Sequence, residues 1–504
     1  MVPREANPAE NRHTTYTAME LHIVIEGRKD LAGQLYRQLG DAIRTGRLAD
    51  GQQLPPSRLL AEQLGISRKT VSDVYARLTL DKLLVGRIGI GSFVSTPASA
   101  RPRKQRAAEL ASADLIARWD SLQSPLRHQH TASHSRYEFL PGCATPAHFP
   151  IDEWRRCVLH ALRQDGTQRG RYAAAEGLPA LREAIARHIS FARGVVCTSA
   201  QVVVTNGAQQ ALDLLGRLLL EPGSIVAVEE PGYPAARMLF ASQGARVAGI
   251  AVDEEGMCVD QIPDHTRLIY ATPAHQLPLG MPMSVARRQA LLARALEIGA
   301  IIIEDDYDSE FRYEGRPTDS LQSMDDHGIV VFVGTFSKVM LPELRLGYMV
   351  LPEAILNAAL NVKHLGDMHT ATMNQLALAK FIDDGYLLKH IRRCHTIYAG
   401  RRARLQALFA NELAPWFELV PATAGFHVAA LARVPLDVDL LIRLARRAEV
   451  GMYPLSNFYA EPPTQSGLAR PGLLLGYGAI DTLDIETALL RVRDILQQMA
   501  TGAA

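Results

Sequence analysis

Apolar positions along the chain follow two different periods. In DLAGQLYRQLGDAIRTGRL the spacing is helical: Leu31, Leu35, Leu39 and Ile43 fall on one face, Asp30 is placed to cap the start, and Gly46 to stop the helix. PPSRLLAEQLGISRKTVSDVYARLTLDKLLV predicts a helix opened by Pro56 and Ser57, a turn at Gly65 and Ile66, and a second helix with Ser67 at its N-cap. Leu59, Leu60, Leu64, Ile66, Val71, Val74 and Leu78 are expected to hold the two helices together. In VGRIGIGSFVS, Gly89 and Gly91 separate short β-prone runs and predict a hairpin.

Past residue 95 the helical period stops. Residues 96–136 are rich in Pro, Ala, Ser, Arg and His, a composition that packs poorly and predicts a flexible linker, with one helix near 107–119. From 137 to 504 short apolar runs alternate with amphipathic stretches: QVVVT, SIVAVEE, RLIYAT, AIIIED and IVVFVG, with helices such as VARRQALLARALEIG between them. Near-continuous β-branched runs indicate strands buried on both faces, hence an α/β layer built on a mainly parallel sheet. The domain expectation is therefore 21–95, a compact helical unit with a wing; 96–136, a linker; and 137–504, an α/β unit.

Composition narrows the function classes. With 504 residues, 47% of them hydrophobic, the chain exceeds one ordinary core; a net charge of +1 argues against a wholly polybasic protein, so any nucleic-acid surface is local. Cys143, Cys157, Cys197, Cys258 and Cys394 are scattered, with no CxxC pair and no His cluster at metal-ligand spacing, so reduced thiols and no metal are expected. The N-terminal stretch lacks an apolar core of signal type and no run approaches a membrane span, which gives a cytoplasmic expectation.

The exposed start of the second helix in PPSRLLAEQLGISRKTVSDVY carries Ser67, Arg68, Lys69, Thr70 and Ser72. Short hydroxyls and long cations at a helix N-terminus suit phosphates and base edges in a major groove. With Arg58 opening the preceding helix and the glycine-rich hairpin following, the stretch resembles the winged helix-turn-helix of GntR-type regulators and nearly reproduces their pattern LPSxRxLAxxLGxSRxTVxxAYxxLxxxG. That resemblance implies DNA contacts by Arg58, Ser67, Arg68, Lys69 and Thr70, with a phosphate contact by Arg87 on the wing.

In parallel sheets, ligand sites gather at the carboxyl ends of strands. After QVVVT come Asn206, Gly207, Ala208 and Gln209, leading into a helix whose bare amides suit a phosphate. After SIVAVEE comes Tyr233; after AIIIE come Asp305, Asp306 and Tyr307; after IVVFVG come Thr335, Ser337, Lys338 and then Arg345. An amine, a carboxylate, aromatic rings and a phosphate cup with one arginine are what a pyridine aldehyde phosphate needs.

EDDYDSEFRY and GTFSKVMLPELRLGY resemble the fold type I, aspartate aminotransferase-like, pyridoxal-phosphate enzymes, over about residues 137–500, and in particular the MocR family, in which that domain is fused to a GntR-type head. The resemblance implies a mainly parallel sheet with helices on both faces and a smaller C-terminal α+β subdomain. It implies pyridoxal 5′-phosphate as cofactor, with Lys338 forming the imine and Asp305 pairing with the ring nitrogen. Tyr307 would meet the ring oxygen and Tyr233 the ring face, while Gly207, Ala208, Thr335, Ser337 and Arg345 serve the phosphate. Leu277 and Leu279 stand in PAHQLPLG where the family more often shows Asn and a hydroxylated residue, and Arg470 is a candidate for an effector carboxylate.

The expected function is a pyridoxal-phosphate-dependent transcriptional regulator of the MocR type. It would sense the cofactor itself or an amino compound by exchange at Lys338, and act as a homodimer on an operator with paired half-sites. The alternative is a working aminotransferase that carries a DNA-binding module; partial half-reactions are compatible with either.

Overall fold

The computed structural model describes residues 23–25, 27, 29–87, 89–95, 113–122, 135–164, 170–314, 319–460, 468 and 470–501, which fall into two compact units divided between Ala117 and Arg118. In the first unit, α1 spans Leu31–Arg44, and the Asp30 carboxylate accepts from the Gly33 amide at 3.2 Å. α2, Ser57–Leu64, ends where Gly65 turns left-handed; α3, Arg68–Leu80, starts with Ser67 Oγ accepting from the Thr70 amide at 3.0 Å. β1, Leu84–Arg87, and β2, Gly91–Val94, form the antiparallel wing, with Leu84 opposite Val94 and Arg87 opposite Gly91.

Leu35, Leu39, Ile43, Leu60, Val71, Val74 and Leu78 share the core of this unit, with Leu64 and Ile66 half-buried against it. Leu59 departs from expectation and is 39% exposed, against 1% for Leu60. Successive helical residues point about 100° apart, so only one of the pair faces the core. The helix expected near 107–119 is seen as Ala113–Ser121; residues 107–112, like most of 96–136, lie outside the described residues.

The second unit begins with β3, Tyr137–Glu138. Its large sheet uses β4 (Val202–Thr205), β5 (Ile225–Glu230), β6 (Arg246–Asp253), β7 (Gly256–Met257), β8 (Thr266–Ala271), β9 (Ile301–Asp306), β10 (Val330–Thr335) and β11 (Gly347–Val350), in the order β4-β11-β10-β9-β8-β5-β6-β7. β6, β5, β8, β9 and β10 are parallel; β11 runs against both of its neighbours, so β4 points the same way as β10. The period of two is read out directly in the packing. Val203, Val331, Val333 and Met349 enter one core, while Val202, Val204, Phe332, Tyr348 and Val350 enter the core on the opposite face.

β12 (Phe417–Leu419), β13 (His427–Ala432), β14 (Val450–Gly451), β15 (Tyr453–Pro454) and β16 (Gly472–Gly476) complete the chain's strands as described. A smaller antiparallel sheet runs β12-β13-β16-β15, and β14 pairs in parallel with β3. Val428, Ala430, Leu473 and Leu475 of this sheet join the same core as Phe332 and Tyr348, which ties the small sheet to the large one. Among the described residues no helix is long and apolar enough to cross a membrane.

Leu60→Ala should weaken the first unit by about 2–5 kcal/mol, as a core truncation does. Leu59→Ala should cost no more than about 0.5 kcal/mol, as for an exposed position. Hydrogen-exchange protection of the α3 amides checks both.

Candidate cofactor pocket and nucleic-acid interface

Strand register fixes where the chemistry meets. Thr205 of β4 lies opposite Gly347 of β11, which lies opposite Thr335 of β10, while Val333 of β10 lies beside Asp305 of β9. Residues at and just after the ends of these strands therefore line one cavity of about 250 Å³. Ala208, Tyr233, Asp305, Tyr307, Thr335, Ser337, Lys338 and Arg345 all border it. Gly207 stands just behind, at the N-cap of the helix Ala208–Leu219 with φ of 79°. A Cβ there would press on the Arg345 guanidinium, whose nearest atom is 3.0 Å from that position, and φ of 79° itself disfavours a side chain. Arg345 itself is left-handed, with φ of 51°, and its guanidinium donates to the Asn206 carbonyl at 2.8 Å. The result is a helix N-terminus with an arginine laid across it, a natural anion cup.

Also bordering the cavity, Lys338 Nζ donates to the Gly142 carbonyl at 2.7 Å. Burial pushes its amine below the usual lysine range, opposed by Cys143, Asp308 and Asp305 nearby. Asp305 is 5% exposed. Burial pushes its carboxyl up to about 6, even though Tyr270 Oη donates to Oδ2 at 2.7 Å. Oδ1 of Asp305 is buried with no hydrogen-bond partner among the described residues. A buried bare carboxylate oxygen is costly unless something protonated meets it. Burial also raises Tyr233, to about 12, and holds Tyr307 well above the normal phenol range. The donor set suits pyridoxal phosphate: a lysine amine for the aldehyde, a bare carboxylate oxygen for a protonated ring nitrogen, and an anion cup for the phosphate.

Residues not anticipated also take part. Tyr270 holds Asp305 from the end of β8, and Phe458 and His427 border the cavity, alongside Gln209 and Leu277, which the sequence already pointed to. His427 is buried on β13, and desolvation, followed by the neighbouring His275, pushes it down to about 3, so it is a neutral ring. His275, Asp308 and His427 are brought together from distant parts of the chain, with one ligand-type atom of each within 4.8 Å of the others. Their shortest contact, His275 Nδ1 to Asp308 Oδ1 at 2.7 Å, has hydrogen-bond length. Leu279 belongs to the core with Leu431, Leu455 and Leu474 instead of the cavity. Arg470 does not border the cavity either: it pairs with Glu418 of β12 at 3.2 Å, which removes it as a candidate for an effector carboxylate at this site.

In the first unit Arg58, Ser67, Arg68 and Lys69 are exposed at the starts of α2 and α3. Thr70 is half-buried, its Oγ1 2.8 Å from Ser67 Oγ, so it braces the N-cap. Arg87 lies exposed on β1 with its guanidinium 4.7 Å from the Phe93 ring centroid, which orients it along the wing.

Family comparison agrees with this division of labour. Residues 31–94 match the model of bacterial regulatory proteins of the gntR family, and residues 145–469 match that of aminotransferase class I and II. The chain belongs to the MocR subfamily of GntR-type proteins, a winged helix-turn-helix joined to an aminotransferase-fold domain. It is 34% identical over 474 residues, 94% of each chain, to the probable rhizopine catabolism regulatory protein MocR of Rhizobium meliloti. It is 35% identical over 480 residues, 94% of this chain and 97% of the other, to the HTH-type transcriptional regulator TauR of Rhodobacter capsulatus. Among solved structures, the α-aminoadipate aminotransferase LysN of Thermus thermophilus, complexed with N-(5′-phosphopyridoxyl)-L-leucine, superposes with a TM-score of 0.69 at 25% identity, covering 78% of this chain and 99% of that one.

Asp305 also gives a stability signature in cofactor-free protein. Because its folded-state carboxyl is raised to about 6, the cost of ionising it inside the fold is absent at low pH, grows above the unfolded carboxylate range of about 3.9, and is complete above about 6. Asp305→Asn should therefore stabilise the cofactor-free protein at pH 7.5, by up to about 3 kcal/mol, and by much less at pH 4.5. Thermal melts at the two pH values check this.

Proposed function

We propose that this chain is a DNA-binding transcriptional regulator that holds pyridoxal phosphate at Lys338 and changes its hold on DNA when the cofactor, or an amino compound reacting at the same lysine, arrives. The observation that carries the reading is the pairing in one cavity of a burial-depressed lysine amine with a buried carboxylate whose Oδ1 has no partner. In this reading Lys338 Nζ takes the cofactor aldehyde and yields it to an incoming amine. Asp305 keeps the ring nitrogen protonated, Tyr233 lies on the ring face and Tyr307 meets the ring oxygen. Ala208, Thr335, Ser337 and Arg345, with Gly207 behind them, receive the phosphate. Bound there, the cofactor supplies a carbonyl electrophile that exchanges amines reversibly.

The division of tasks follows the sequence boundaries: 21–95 reads DNA, 96–136 tethers, and 137–504 senses. A homodimer would present two heads to paired half-sites, and release of Lys338 would shift the population between two arrangements of the sensing unit. The named functions of MocR and TauR, both regulators, support this reading over the rival one. The rival, an aminotransferase with a DNA-binding appendage, draws on the same intact Lys338 and Asp305.

Two experiments test the proposal. Mixed with pyridoxal phosphate, a panel of amino acids and 2-oxoglutarate, the protein should give no sustained product formation, while cofactor or amine alters its affinity for the DNA flanking its own gene. Sustained turnover without any change in DNA affinity would contradict it. On the DNA side, Arg68→Ala should weaken binding and alter base preference, while Arg87→Ala should reduce the salt slope by about one, as expected for one lost phosphate contact. Unchanged binding in both variants would place the interface elsewhere.

A further inference from the structure

Behind the cavity, Tyr307 Oη lies 3.1 Å from His275 Nδ1, and the same nitrogen lies 2.7 Å from Asp308 Oδ1. An ionised carboxylate only accepts, so the short contact places the Nδ1 hydrogen on His275, pointing to Asp308. A nitrogen carrying that hydrogen has no lone pair for the phenol. Tyr307 Oη therefore meets His275 as an acceptor of the forked N–H, and its own hydrogen is left for the cavity that Tyr307 borders. His275 and Asp308 are each 2% exposed or less, so water does not compete for these positions.

The backbone is shaped to permit this chain of contacts. Gly425, at φ of 77°, passes so close that a Cβ would lie 2.1 Å from the His275 ring and 2.6 Å from Asp308 Oδ2. The acidic groups acting on Tyr307 are Asp308, Asp305, Glu229 and Asp306, and the His427 ring lies stacked at 6.3 Å.

We propose that His275, anchored by Asp308, is a positioning residue that aims the Tyr307 hydroxyl hydrogen into the cavity, where it meets the acidic ring oxygen of the cofactor. The inference rests on the proposed reading that the cavity holds pyridoxal phosphate at Lys338. With the cofactor held at Lys338, a hydrogen bond from Tyr307 would favour the ring oxygen as an anion and so ease loss of the proton titrated there. Loss of the aim should make that proton harder to remove.

The test is a pH titration of the near-visible absorbance of full-length protein loaded with pyridoxal phosphate. Tyr307→Phe should move the midpoint to higher pH; His275→Phe and Asp308→Asn should move it the same way, by about one pH unit. The double variant His275→Phe with Tyr307→Phe should titrate like Tyr307→Phe alone, because the two residues act through one hydrogen bond. If His275→Phe fails to fold by far-ultraviolet circular dichroism, Asp308→Asn with Tyr307→Phe carries the same comparison. Wild-type midpoints in the His275 and Asp308 variants, or shifts that add to that of Tyr307→Phe, would overturn the inference. A wild-type protein that forms no borohydride-fixed adduct with the cofactor would instead overturn the reading beneath it.

Discussion

The larger unit holds a buried acid and a half-buried amine in one cavity at the end of one sheet, and the rest of its design follows from that constraint. Asp305 is raised toward neutrality by burial, tied at one oxygen by Tyr270 and bare at the other. Lys338 is lowered by the same loss of solvent and leans on the Gly142 carbonyl. The cost falls on Asp305 Oδ1, since a buried polar atom without a partner costs more than the average hydrogen bond returns. A ligand bringing a protonated ring nitrogen and an aldehyde satisfies both at once. The cavity thus holds unsatisfied polarity in reserve for a particular chemistry.

The sheet makes this possible through its register. β4, β9 and β10 deliver Thr205, Asp305 and Thr335 to the same edge, and the reversed β11 brings Gly347 between two of them, so that Arg345, just before it, folds over the start of the helix Ala208–Leu219. The small sheet contributes from the other side through His427 on β13, and shares a core with the large sheet. The small sheet and the cavity wall are therefore linked by packing. The first unit is built by a different logic: a small core around Leu35, Leu60 and Val74 that leaves cations exposed at two helix starts.

Much of this could be read in the sequence because chemistry sat where the apolar runs stopped. Lys338 and Tyr233 each follow a strand whose β-branched residues announce it, Asp305 stands near the end of another, and Gly207 precedes an amphipathic helix. What could not be read depends on distance and register. Tyr270 lies inside RLIYAT and looks like core until its hydroxyl is seen to reach the next strand. His427 stands 152 positions beyond His275 (427 − 275), a separation no local pattern can bridge. Arg470 looked available in LARPGL, and only the pairing of β12 with its neighbours reveals Glu418 beside it. Leu59 was misplaced because two adjacent leucines in a short helix give no indication of which one faces inward.

A covalent bond between Lys338 and the cofactor is the proposed centre of the larger unit. Full-length protein incubated with pyridoxal phosphate, reduced with borohydride, digested and examined by mass spectrometry should carry the phosphopyridoxyl group on the Lys338 peptide, with Asp305→Asn retaining less of it. Modification spread over surface lysines, with the Lys338 peptide unmodified at saturating cofactor, would contradict the account.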